Sequence, residues 1–301
     1  MITEDEKDIR ALLHAIPALT DYTGPIERLG GLTNKVYRLG DKVLRIPGSG
    51  TEEYINRANE TVSAKVAAAA GVSPVVLYAD AKTGIMVTEL VANAETMTPQ
   101  NFKSRLGSPA RAGMALHKLH TSGGQFPFRF ELFAMIDDYL KILSTKTVTL
   151  PDGYHEVVRE AETIRTALAR NPAPLAPCHC DPLCENFLDG GTRMWIVDWE
   201  YCGMNDPMWD LGDLSVEGNF TNEQDLEMLY AYFESEPPKQ DYARMTIYKA
   251  MCDLLWTLWG LIQHANQNPA DDFWVYALNR FERCKRLMAS SEFARCVRVL
   301  G

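Results

Sequence analysis

Residues 178–210 read CHCDPLCENFLDGGTRMWIVDWEYCGMNDPMWD, and the rest of the chain is best understood outward from this stretch. It sets His179, Asp181 and Asn186 in the order H-x-D-x-x-x-x-N. A turn, LDGGT at 188–192, and an apolar run, 194–197, then lead to Asp198. Transfer of a phosphoryl group from a magnesium nucleotide needs these parts in this order. Asp181 is the group expected to accept or orient the proton of a hydroxyl, a role in which position matters more than basicity. Asn186, through its amide oxygen, and Asp198, through its carboxylate, are the expected magnesium ligands. His179 is read as holding the loop in shape by hydrogen bonding, and Asp210 as supporting the same loop rather than touching substrate.

The segments before this stretch supply what a nucleotide would need. Residues 3–16 pattern as an amphipathic helix, with Thr3 and Glu6 as a capping box and Ile9, Leu12, Leu13 and Ile16 on one face. The period then shifts to three short strands at 26–29, 35–39 and 42–46, joined by Gly30-Gly31 and Gly40-Asp41. The first turn, GGLTN, is where backbone N–H groups could approach ATP phosphates, with Gly30 and Gly31 lacking side chains and Thr33 and Asn34 adding donors. Gly-Gly between strands is also an ordinary hairpin turn.

Arg45 on the third strand is the expected phosphate-pairing cation, a fork that a carboxylate must fix. Lys42 is three residues earlier and should point to the opposite face. A helix over 53–70 offers Glu60 as the fixing carboxylate. Strands at 75–78 and 85–90 run into a hinge, where backbone groups of Glu89 and Val91 could meet the adenine edge. The expected organisation is an N-terminal lobe at 1–90, a hinge at 91–100 and a mainly helical lobe at 101–301, with helices over 101–120, 131–143 and 153–170. His117 and His120 on the first of these are read as buried or capping.

Composition narrows the function classes. A chain of 301 residues with a net charge of −10 lacks the basic face that nucleic acid demands. The charged start, MITEDEKDIR, carries no apolar leader, and the run at 254–262 is far short of a membrane span. Seven cysteines, odd in number and without scaffold spacing, fit a reducing, cytoplasmic setting. Cys178, His179, Cys180 and Cys184 match none of the common structural zinc spacings.

With these residues in place, GGLTNKVYRL, VLRIPG, Glu60, HCDPLCEN, VDWEY and DPMWDLGDLS together resemble the choline/ethanolamine kinases, within the larger aminoglycoside-phosphotransferase-like group. The matches run from about Gly30 to Met288. The resemblance implies a two-lobed, protein-kinase-like α+β fold: a small N-lobe on an antiparallel sheet and a larger helical C-lobe. It implies ATP and Mg2+ as cofactors and a small cationic alcohol as substrate. Arg45 in place of lysine, and LLWTLWGLIQ followed by FWVYALNRFERCKRL, lean toward choline.

Trp256 and Trp259 share a helix face, and Tyr276 could complete an aromatic wall for a quaternary ammonium, which cannot donate hydrogen bonds. Core packing would place two tryptophans there equally well. Glu217 matches the family's acidic residue beside the ammonium, Glu200 is a further neighbour of substrate or metal, and Phe220 is a loose last wall. The chain looks like the compact bacterial type linked to phosphocholine decoration of surface glycans, including lipopolysaccharide. The alternatives are kinases of ethanolamine or of other amino alcohols and aminoglycosides, or a non-catalytic module that binds nucleotide or choline.

Overall fold

The computed structural model describes residues 4–30, 34–48 and 55–301. Helix α1 (Glu4–Leu13) leads to β1 (Glu27–Gly30), β2 (Asn34–Leu39) and β3 (Lys42–Pro47). Helix α2 (Arg57–Ala69), β4 (Val76–Ala79) and β5 (Met86–Glu89) follow. The five strands form one antiparallel sheet in the order β1-β2-β3-β5-β4. The β2–β3 hairpin turns at Gly40, whose φ of 65° is a conformation that costs glycine little.

Alternation along β3 works as expected. Leu44 is buried against Ile9, Leu13, Tyr37 and Val87 in the cluster under α1, and Lys42, on that same face, donates to the Ala18 carbonyl at 2.9 Å. Arg45 therefore emerges on the other face, toward α2. That helix starts at Arg57 rather than at 53, because Asn56 caps it by accepting from the N–H groups of Ala58 and Asn59. Residues 53 and 54 lie outside the described residues, as do Thr3, Gly31 and Thr33.

The remainder is mainly helical. The expected single helix over 101–120 is two, α3 (Pro99–Ser104) and α4 (Ser108–His120). The break falls at Gly107, with φ 73°, followed by Pro109. Strand β6 (Glu95–Thr96) joins the hairpin β8 (Phe187–Asp189) and β9 (Met194–Ile196). Strand β7 (Ala176–Cys178) pairs with β10 (Gly203–Asn205). Helices α5 (Leu132–Ser144) and α6 (Tyr154–Arg170) precede these pairs. Helices α7 (Met208–Glu217), α8 (Asn222–Phe233), α9 (Lys239–Ala265), α10 (Phe273–Met288) and α11 (Ser291–Leu300) complete the chain.

One continuous apolar cluster runs from Ala64 and Met86 through α4, the β8–β9 hairpin and α7 to α9 and α10. Close approach is built in at Gly212. A Cβ there would lie 2.8 Å from the Met245 carbonyl oxygen, so α7, which ends in Glu217, can lie directly on α9. No helix among the described residues is long and apolar enough to cross a membrane.

The helix break has a consequence for the catalytic hairpin. Asp189 is fully buried and accepts from Arg105 Nε at 2.8 Å, from Arg111 Nε at 2.8 Å and Nη2 at 2.7 Å, and from the Gly191 N–H. Burial alone would raise its proton affinity, but the hydrogen bonds from the two arginines outweigh it and hold the carboxyl at about 2. This group therefore stabilises the fold fully above the ordinary carboxylate range, near pH 4, and the contribution fades as pH falls toward 2. The substitution Asp189→Asn should cost about 3 kcal/mol at neutral pH, since it leaves arginine charge unpaired in the interior. Thermal unfolding of the two proteins across pH 7 to 2 checks this. The gap in Tm should be wide at neutral pH and close below pH 4.

Candidate active site

A polar cluster sits where the sheet meets the catalytic hairpin. Arg45 is ion-paired with Glu60, lies 3.1 Å from Asp198 Oδ1 and 3.4 Å from Glu200 Oε1. Arg57 bridges Glu60 at 2.9 Å and Glu200 at 2.7 Å, and Asn34 donates to Glu200 at 3.1 Å. Burial alone would lower the pKa of Arg45, but Asp198, Glu60 and Glu200 outweigh it and raise it, so the guanidinium stays charged. Asp198 moves up, pushed first by burial and then by Glu200 and Glu60, against Arg45.

Glu200 sits with Arg45 and Arg57 beside Asp198, which agrees with its reading as a neighbour of substrate or metal. Arg57 was not anticipated, although its spacing of three residues before Glu60 on a helix was a readable signal.

The catalytic loop is held from behind. Asp210 accepts the backbone N–H groups of His179 at 2.7 Å and Cys180 at 2.8 Å, and its carboxylate lies 3.0 Å from His120 Nε2. The opposite ring nitrogen of His120 is 3.0 Å from the Tyr232 hydroxyl. His120 thus locks the residue that locks the loop. His117 lies edge-on to the same tyrosine ring. Cys178 stands near His120 and Asp210, but its sulfur points at the Asn205 carbonyl, and Asp210 is occupied by its hydrogen bonds.

His179 Nε2 is 2.9 Å from the Val197 carbonyl, the residue before Asp198. The ring thereby ties the two halves of the motif together. Cys180 and Asp198 both hold φ of 67°, an uncommon region for residues with a side chain, found most often where surrounding structure imposes it.

Asn186 ends a single 3-10 turn and donates its amide to the Asp181 carbonyl at 3.1 Å, which leaves its side-chain oxygen for another partner. Asp181 itself is pushed up to about 8, first by burial, then by Glu217 and Asp198, with Arg280 opposing. Its carboxyl thus responds to charges from both the arginine–carboxylate cluster and the far side of the site.

On that far side the aromatic residues gather. Trp256 is buried, with its ring edge-on to Tyr201 at 6.2 Å and to Trp259 at 6.0 Å between centroids. Trp259 meets Tyr276 at 5.7 Å and Phe273 at 5.4 Å. Gly260 makes room for Tyr276, because a Cβ there would strike its ring at 2.8 Å. Glu217 pairs with Arg280 at 2.6 Å, and Arg280 stacks over the Tyr276 ring at 4.8 Å.

Phe220, whose spacing after Glu217 is loose, packs on Phe102 at 5.1 Å between ring centroids. Tyr201 and Arg280 were missed. Tyr201 directly follows Glu200, and Arg280 is one helical turn beyond Tyr276. At the hinge, Glu89 spends its N–H on the Val75 carbonyl at 3.0 Å, so only its carbonyl could serve a purine.

The profile of the phosphotransferase enzyme family matches residues 26–248. A choline/ethanolamine kinase family protein from Mesorhizobium loti is 66% identical, superimposes with a TM-score of 0.93 and shares 98% of each chain. This chain belongs to the phosphotransferase enzyme family, in its choline/ethanolamine kinase branch. Protein LicA of Haemophilus influenzae is 27% identical over 287 residues, covering 90% of this chain and 81% of that protein. The structure of choline kinase LicA from Streptococcus pneumoniae is 28% identical with a TM-score of 0.78, over 95% of this chain and 99% of that one.

As a member of this branch the chain is an alcohol kinase that binds nucleotide. The donors around Asp198 are oxygens throughout: those of Glu60, Asp198 and Glu200 lie within 4.8 Å of one another, and Asn186 adds an amide oxygen. An all-oxygen set of this kind suits a hard divalent cation, and so fits magnesium. Asp181→Asn should lower kcat at least about 10²-fold while leaving Tm within a few degrees. Steady-state kinetics on the folded variant checks this, and undiminished turnover would remove Asp181 from the chemistry.

Proposed function

We propose that this kinase transfers the γ-phosphate of ATP to the hydroxyl of choline, with Mg2+, to give phosphocholine. The observation that carries the reading is the position of Asp181 between two unlike surfaces. One is the arginine–carboxylate cluster, and the other is the aromatic set that ends in Tyr276 and Glu217.

The roles follow from the chemistry of each side. Arg45, held by Glu60, meets phosphate oxygens with a fork that matches them. Asn186 and Asp198 would hold magnesium, which when bound screens the charge of the phosphates. Gly30 and Asn34 border the phosphates; Gly31 and Thr33, which lie between them in sequence, are outside the described residues. Glu89 and Val91 border the adenine. Asp181 holds the choline hydroxyl in line and receives its proton as the new oxygen–phosphorus bond forms and the γ-phosphorus bond to the β-phosphate oxygen breaks, releasing ADP. Its raised proton affinity reflects burial first, and then the nearby carboxylates of Glu217 and Asp198. A cationic substrate supplies positive charge on the side of Glu217 and draws Asp181 toward its ionised, accepting form.

Trp256, Trp259 and Tyr276, with Tyr201, supply faces and edges to a trimethylammonium group. Such contacts contribute on the order of 0.5–2 kcal/mol each. The relatives add support, since one is described as a choline kinase. Ethanolamine is the second reading, favoured by Glu217 as a possible acceptor for a primary ammonium and by the 24% identity to a probable ethanolamine kinase of Arabidopsis thaliana. That relative aligns over 89% of this chain and 80% of its own length. A site inside a reducing cytoplasm suits both substrates.

Trp256→Ala tests the pocket. It should raise the choline KM about tenfold or more and leave the ATP KM within twofold. A parallel rise in both would reduce Trp256 to a packing role.

A further inference from the structure

Glu217 is not presented to the acceptor side as a bare carboxylate. Arg280 stands 2.6 Å from it and is itself largely buried, with its guanidinium over the Tyr276 ring. The arginine is gripped from behind by Asp253, 3.4 Å away and fully buried. Asp253 is fixed in turn by Arg283, through bonds of 2.6 Å to each of its oxygens. Arg283 also donates to the Val216 carbonyl at 2.9 Å and to Asn219 at 3.3 Å, on either side of Glu217 in the chain. The chain Arg283–Asp253–Arg280–Glu217 therefore bolts α10 and α9 to the end of α7, and Arg280 is a built component of the acceptor wall.

Arg280 lies against Glu217 as an ion pair, so a primary ammonium arriving there must compete with a guanidinium for that carboxylate. A quaternary ammonium donates no hydrogen bond, needs no free acceptor and is served by the remaining aromatic surface. A primary ammonium loses its hydration and finds its natural partner engaged, and an unpaired donor in such a site is costly.

We infer that Arg280 is the specificity-determining residue of the acceptor site: by engaging Glu217 it biases the enzyme toward quaternary and against primary ammonium alcohols. This rests on the reading of the aromatic set as the ammonium pocket. Arg280 acts through Glu217, so it is a positioning residue rather than a catalytic one.

The test compares kcat/KM for choline and ethanolamine in wild type, R280Q and R280K, with folding followed by circular dichroism and Tm. In R280Q the choline-to-ethanolamine ratio should fall about tenfold or more, because Glu217 becomes free to accept from a primary ammonium. R280K keeps a positive charge beside Glu217 and should retain the wild-type ratio. A folded R280Q whose ratio stays within twofold of wild type overturns the inference.

Should R280Q fail to fold, E217Q decides. The inference expects a ratio within twofold of wild type, and a selective tenfold loss of ethanolamine turnover contradicts it. A wild type that phosphorylates neither alcohol overturns the choline reading alone. Fluorescence titration of wild type and R280Q with tetramethylammonium and methylammonium then measures the same preference without turnover. A preference that R280Q leaves unchanged there again overturns the role of Arg280.

Discussion

Carboxylate in excess of cation is the constraint on which this site depends. Glu60, Asp181, Asp198, Glu200 and Glu217 are set about one region, against the guanidinium groups of Arg45, Arg57 and Arg280. Buried charge of one sign is tolerated only when it is paired, bonded or neutralised by a proton. The protein uses all three solutions. Glu60 and Glu200 are paired by arginines, Glu217 is paired by Arg280, and Asp181 is drawn toward its protonated form. A site left in that condition favours positive charge from outside, which a divalent cation or an ammonium group would bring.

The scaffold explains why this arrangement holds its shape. Asp210 fixes the loop through the N–H groups of residues 179 and 180, and His120 fixes Asp210. Asp189, on the strand between Asn186 and Asp198, is anchored by arginines of the α3–α4 segment. Each functional segment is thus tied to a helix by a buried carboxylate whose partners come from distant sequence. The same device recurs at Asp253, which holds the acceptor wall. Groups that must not move are clamped by charge-assisted bonds, while Arg45 and Asp198 bind one another in a pairing that phosphate and metal could replace.

Much of this was legible because its signals are local. The H-x-D-x-x-x-x-N order, the LDGGT turn and Asp198 follow one another within a few turns of chain, and the alternation along β3 separated Lys42 from Arg45. The helix break at Gly107 was hidden, since the apolar stripe of α4 continues without regard to the turn that Gly107 and Pro109 impose. Arg57 was passed over because its partners Glu60 and Glu200 meet only in the folded chain, Glu200 arriving from another element. Arg280 was passed over for the same reason, as its meaning depends on Glu217 and Asp253. Long-range pairing, rather than secondary structure, marks the limit of what the sequence discloses here.

In the function proposed above, a phosphoryl group passes to a cationic alcohol in the space between the arginine cluster and the aromatic set. Phosphorus-31 NMR of the purified protein with ATP, magnesium and choline observes that event directly. A phosphomonoester signal should grow with ADP in equal amounts and require both choline and magnesium. ATP that stays intact, or is cleaved only to inorganic phosphate at a rate indifferent to choline, would contradict it.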